Sequence, residues 1–229
     1  MPIRSLLVPL LLAGCSASPM GRGPMVVELF QSQGCSSCPP ADANLASVAD
    51  RPDVIALSFA VTYWNQLGWK DTFSEPVFTQ RQWDYAHAFA QNEVFTPEVV
   101  VDGRRAGVGV SAAGFGQLLQ FGAATRLTRP AIRGGAGEVE LGAGQTPAAP
   151  ADVWLVRYDP RVVQVAVGRG ENAGKTLPER NIVRELTRLG VWTGAPVTLR
   201  VAPPGDPAWR SAILVQSTHS GPILAAAKV

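Results

Sequence analysis

Cysteine, histidine and charge are all scarce in this sequence. Its 229 residues include three cysteines and two histidines, and the net charge is only +2. One Cys-x-x-Cys pair, with His87 and His219, gives too few ligands for an ordinary four-coordinate zinc site. No Ser-His-Asp triad can be drawn. No block of like charge runs along the chain, so nucleic-acid binding lacks its electrostatic footing. No apolar stretch reaches the ~20 residues that span a bilayer. No internal repeat is present. Proline and glycine, by contrast, are plentiful, with 19 and 23 residues. They predict short elements joined by many turns.

The first residues read as a secretory leader. "MPIRSLLVPLLLAGCSAS" places Arg4 before a short apolar stretch at residues 6–13, followed by small residues. That is the order of a cleavable signal. Leu12, Ala13, Gly14 and Cys15 resemble a bacterial lipobox, whose cysteine becomes the acylated first residue. Multiple acyl chains give stable anchoring where one does not. The alternative is an ordinary signal cleaved after Ala17, which would discard Cys15. No Asp follows Cys15 to suggest inner-membrane retention. The expectation is therefore an extracytoplasmic protein, in the periplasm and tethered to the outer membrane through a lipidated Cys15. Disulfides persist in that compartment, and Cys35 and Cys38 remain as the redox inventory. Residues 18–24 read as a flexible tether, so residues 1–24 are assigned to leader and tether.

From residue 25 the pattern becomes regular. "MVVELFQ" (25–31) reads as a strand, "PPADANLASVA" (39–49) as a helix opened by prolines, and "DVIALSFAV" (53–61) as a buried strand. This is a β-α-β unit, with a right-handed crossover as the default. Residues 74–90 predict a second helix, with Ser74 as its cap. Residues 94–109 predict a hairpin turning at Asp102 and Gly103, and residues 111–124 a third helix. The order β-α-β-α-β-β-α is that of thioredoxin. Cys35 and Cys38 fall between the first strand and first helix, and Thr96 and Pro97 fall where that fold carries its cis-proline. Residues 25–128 are therefore predicted to be a thioredoxin-like domain within an α/β chain.

Composition shifts near residue 130 toward Gly, Pro and Ala. Short alternating runs follow. Residues 153–158 and 162–167 predict a hairpin around Asp159, Pro160 and Arg161. Residues 197–202, 212–217 and 223–227 predict further strands. Residues 129–229 are expected to form a β-rich domain, an antiparallel sandwich or barrel. "ERNIVRELTRLG" (179–190) fits a helix face through Ile182, Val183, Leu186 and Leu189, and also fits a long edge strand. Arg180, Arg184 and Arg188 would then be a solvated face. "GRGENAGK" (168–175) lacks the strand and helix of a phosphate loop and reads as a loop shaped by glycines.

Several segments together resemble one family. "ELFQSQGCSSCPPAD", "YWNQLGWKDTFSEPVFTQRQWDYA", "VFTPEVVVDG" and "GENAGKTLPERNIVREL" are similar to the domain of unknown function 1223 family. The resemblance runs from about Glu28 to the C-terminus and implies a secreted, thioredoxin-like bacterial protein without an established activity. It also exposes departures. Where the family pattern after the second strand carries a His and two Asp, this chain has Ala60, Thr62 and Asn65. Glu98 replaces the usual Gln.

The chemistry predicted for the pair follows from its placement. A thiol at a helix N-terminus meets the positive end of the dipole, which favours its thiolate. Cys35 is expected to be the exposed attacking thiol and Cys38 the resolving one. Thr96 and Pro97 would position a protein or small thiol/disulfide substrate. No cofactor is required. Two readings compete. One is a binding or scaffold protein with a structural disulfide, although so short a loop gains little chain entropy. The other is a copper(I) carrier, since copper(I) accepts two thiolates. Trp64, Trp69 and Trp83 read as packing residues, with the Lys70 and Asp71 stretch beside a cleft. His87 reads as a packed or surface residue.

Overall fold

A computed structural model describes residues 23–124, 130–135 and 137–229. The expected leader and Cys15 lie outside the described residues. The first half contains β1 (Met25–Gln31), α1 (Cys38–Ser47), β2 (Val54–Ala60), a 3-10 turn (Tyr63–Leu67), α2 (Pro76–Ala88), β3 (Glu98–Val101), β4 (Arg105–Gly107) and α3 (Ala112–Ala124). The element order expected from the sequence is therefore present. The second half contains β5 (Ile132–Gly135), β6 (Glu138–Leu141), β7 (Ala151–Asp159), β8 (Val163–Ala166), β9 (Thr176–Glu179), β10 (Ile182–Trp192), β11 (Val197–Arg200), β12 (Arg210–Gln216) and β13 (Ile223–Lys228).

The two halves share one sheet. Its eight strands run β13-β12-β7-β10-β2-β1-β3-β4. β1 and β10 both lie parallel to β2, and the remaining neighbours are antiparallel. β1 and β2 are buried along their whole length, because helices cover both faces and each face needs apolar side chains. Met25, Val27 and Leu29 pack with Leu45 of α1 and Phe115 of α3. Val26 and Phe30 point the other way, toward Phe78 and Tyr85 of α2.

The C-terminal strands are not a sheet system apart. β7, β10, β12 and β13 extend the main sheet. A second sheet, ordered β11-β6-β5, packs over part of that extension through Val139, Leu141, Val153, Leu155, Ile213 and Val215. The join is made at Asn181. Its carbonyl accepts the Ser58 amide at 2.9 Å, and its side chain donates to the Ala56 carbonyl at 2.9 Å. β10 is thus neither a helix nor an edge strand. Two bulges, between Val183 and Glu185 and between Arg188 and Gly190, break its two-residue alternation. The broken alternation is what gave its apolar residues a helical spacing.

The hairpin expected around Pro160 does not form. Asp159 accepts the Arg161 amide at 3.0 Å, and its carboxylate pairs with the Arg161 guanidinium at 2.6 Å. The chain leaves the sheet at this turn, and β8 pairs with β9 as a separate ribbon instead. That ribbon carries residues 168–175 toward the cysteines. The three arginines are not one solvated stripe either. Arg180 pairs with Asp50, Arg188 pairs with Asp152, and Arg184 lies over the rings of Phe73 and Trp209. Among the described residues, no helix is long and apolar enough to cross a membrane.

Candidate functional site

Cys35 and Cys38 form a disulfide at the junction of β1 and α1, with Cα atoms 5.5 Å apart. Cys38 is the first residue of α1, and Pro39 and Pro40 follow in its first turn. Those prolines lack N–H groups, so fewer backbone donors face the pair than at an ordinary helix start. A hydroxyl stands close by: Ser37 Oγ lies 3.3 Å from Cys35 Sγ. The expected exposure of Cys35 is not found, since both cysteines are fully buried.

The turn before Cys35 is held from two sides. On one side, Asp71 Oδ2 accepts the Gln33 amide at 2.7 Å and the Ser32 hydroxyl at 3.3 Å. Trp69 Nε1 donates to Gln33 Oε1 at 2.9 Å. Trp69 and Asp71 therefore brace the cysteine turn rather than line an open cleft. Asn65, one of the departures from the family pattern, accepts the Asp71 amide through Oδ1 at 2.9 Å. Thr62, another, bonds Thr79 at 2.9 Å, and Ala60 is buried in β2. Thr96 and Pro97 are joined by a cis peptide bond. Trp64 donates to Thr96 Oγ1 at 2.7 Å, and its Cβ lies 3.3 Å from where a side chain on Gly34 would begin. Trp64 thus links the cis-proline segment to the cysteine turn. Gln82 of α2 fixes the same segment, donating to the Phe95 carbonyl at 2.7 Å and to Glu98 at 2.8 Å.

On the other side lies the loop between β8 and β9. Asn172, fully buried, donates to the carbonyls of Gln33 at 3.0 Å and Cys35 at 2.8 Å. Glu171 accepts from the Ser36 amide at 2.9 Å and the Ser36 hydroxyl at 2.7 Å. These bonds hold the Glu171 carboxyl below its usual range. The sequence singled out neither residue. Their signal was the polar, glycine-flanked "GENAGK" that opens one of the family-like segments.

Three carboxyl groups share the surroundings of this turn. Burial raises the Asp71 pKa, and hydrogen bonds from Gln33, Phe73 and Ser32 oppose the rise. Asp42, on α1, is raised by desolvation and then by the charge of Asp71. Glu179, at the end of β9, is pushed up to about 9 by burial and by Asp71 and Asp42. The Gln33 amide offsets part of that cost, yet neither Glu179 oxygen meets a partner at bonding geometry. Burying a charge without a partner is strongly unfavourable, so Glu179 is neutral at pH 7.

A stability consequence follows with a definite sign. In the unfolded chain Glu179 ionises near ~4.3. Between that value and about 9 the folded state holds a proton that the unfolded state has lost. Stability therefore falls as pH rises through this window. Glu179→Gln removes the effect. Urea unfolding at pH 8 is expected to show the variant more stable than wild type by several kcal/mol, up to ~5, the gap closing toward pH 4.5. Equal pH profiles for the two proteins would contradict the assignment.

Fold and site together define a class, a mixed α/β protein with one large sheet and a Cys-x-x-Cys disulfide at a strand–helix junction. A family model described as "Protein of unknown function (DUF1223)" matches residues 26–216, and the chain belongs to that family. No curated protein matches it significantly. It is similar to a crystal structure of an Agrobacterium tumefaciens protein, with 31% identity and a TM-score of 0.74. That likeness covers 91% of this chain and 95% of the other.

Proposed function

We propose that the protein is an extracytoplasmic thiol–disulfide oxidoreductase of thioredoxin-like architecture, working through Cys35 and Cys38. The observation that carries this reading is the disulfide closed at the N-terminus of α1. In the oxidised protein, a substrate thiolate attacks Cys35 Sγ, the S–S bond breaks, and Cys38 leaves as thiolate. A second substrate thiolate then attacks the mixed disulfide and frees Cys35. Two electrons pass from the substrate dithiol to the pair, and the substrate leaves as a disulfide. The reverse sequence reduces a substrate disulfide. Thr96, beside the disulfide turn through Trp64, is the backbone proposed to orient the partner. Residues 12–15 support a lipid tether on Cys15, placing this chemistry in the periplasm at the outer membrane.

The burial of both cysteines favours a second reading, in which the disulfide is structural and the protein binds a partner. Equilibration with glutathione and dithiothreitol redox buffers separates the two. An exchanging pair is expected to settle above ~−300 mV. A bond that resists both reagents, with a potential well below that value, would make it structural.

A further inference from the structure

We infer that residues 168–175, the loop between β8 and β9, form a detachable cover over the disulfide, so that a partner thiol reaches Cys35 only when this loop lifts. The inference concerns access to the same sulfur atoms, and its physiological meaning rests on the oxidoreductase reading.

The loop lies directly on the turn. Glu171 N donates to the Gly34 carbonyl at 3.3 Å. A side chain on Gly170 would begin 3.5 Å from the Gly34 Cα, so two glycines face each other where the segments meet. Gly170 also has a φ of +82°, a conformation that side chains disfavour. Close approach is therefore built into both strands of the contact.

The attachment is almost wholly polar. From 168 to 175, Asn172 is the one buried residue, and the exposed Glu171 supplies the rest of the grip. Lys175 Nζ steadies the latch by donating to Asn172 Oδ1 at 2.9 Å. The Trp69 ring lies against Gly168, but the loop buries no apolar side chain of its own, and such a segment opens locally far more readily than the sheet beneath it unfolds. Attack on a disulfide needs an unobstructed approach to sulfur, and the closed loop accompanies sulfur-bearing residues with no exposed surface. The C-terminal half thereby governs access to chemistry carried by the N-terminal half.

The test is the rate of disulfide reduction in the full oxidised chain, using dithiothreitol in excess and quenching free thiols with a maleimide. Glu171→Ala removes both bonds to Ser36 from an exposed position, and the rate is expected to rise about three- to tenfold. Glu171→Gln keeps an acceptor oxygen and should fall between wild type and Glu171→Ala. Asn172→Ala should accelerate reduction further. Urea unfolding measured alongside shows that each variant is folded. An unchanged midpoint with a faster reaction supports local opening. Equal reduction rates in wild type and all three folded variants would overturn the cover. Rapid glutathione exchange with equal reduction rates in wild type and all three variants would leave the oxidoreductase and remove the cover. Faster reduction in Glu171→Ala, with no glutathione exchange in any variant, would keep the cover and remove the oxidoreductase.

Discussion

Cys38→Ser is expected to turn the protein into a trap. Incubated with a disulfide-containing partner, the reduced variant should accumulate a mixed disulfide through Cys35 that survives denaturation and is released by dithiothreitol. Cys35→Ser should trap nothing. Either substitution should reduce disulfide exchange at least about a hundredfold, because the thiolate is the nucleophile and the second thiol resolves the intermediate. The asymmetry follows from position. Cys38 is the first residue of α1, whereas Cys35 lies in the preceding turn beside the exposed Ser36 and Ser37. Cys35 has the Ser37 hydroxyl at 3.3 Å, able to donate to a thiolate. Mass mapping of the trapped species checks the assignment. Trapping by Cys35→Ser and not by Cys38→Ser would reverse the two roles. Undiminished exchange in both would refute the proposed chemistry.

How much of this was readable in advance depended on the range of the interactions. β1, α1, β2 and the β3–β4 hairpin are written locally, in unbroken apolar runs, paired prolines and the Asp102 and Gly103 turn. The second half was legible as strands but not as partners. β10 is the clearest case, since its bulges disguise its alternation and its place beside β2 depends on Asn181, far along the chain. The compositional shift near residue 130 suggested a boundary that the sheet does not respect. The site divides in the same way. Cys35, Cys38, Thr96 and Pro97 announce themselves by type and spacing. The braces do not, because Glu171 and Asn172 reach their partners across 135 and 137 positions. Glu179 has no signature at all. A glutamate in an alternating strand reads as solvent-facing until the fold shows it buried.

Arg81→Ala is expected to be among the most destabilising substitutions in the chain. Arg81 and Glu28 are both buried, with Nε and Oε1 2.6 Å apart. The hydroxyl of Tyr85 bonds Glu28 and accepts from Arg81 Nη2 at 3.1 Å and from Gln216 Nε2 at 3.0 Å. The guanidinium also lies 5.1 Å from the Tyr85 ring centroid. This network ties β1 and α2 to β12, and so the first half of the fold to the second. Removing Arg81 leaves Glu28 buried without its countercharge, a loss of about 3–5 kcal/mol in a fold whose whole stability is of order 5–15 kcal/mol. Removing both charges should hurt less than removing either one. Glu28→Leu combined with Arg81→Met leaves no uncompensated ion, so the double variant should recover much of the loss in urea unfolding. Additive single effects would mean that the pair is not acting as a desolvated unit. The comparison also bears on function. Gln82, the next residue on α2, holds Phe95 and Glu98 on either side of Thr96 and Pro97. If α2 keeps its seat in the double variant, disulfide exchange should persist there and fall in Arg81→Ala, which separates the orientation of the site from the charges that happen to lie beneath it.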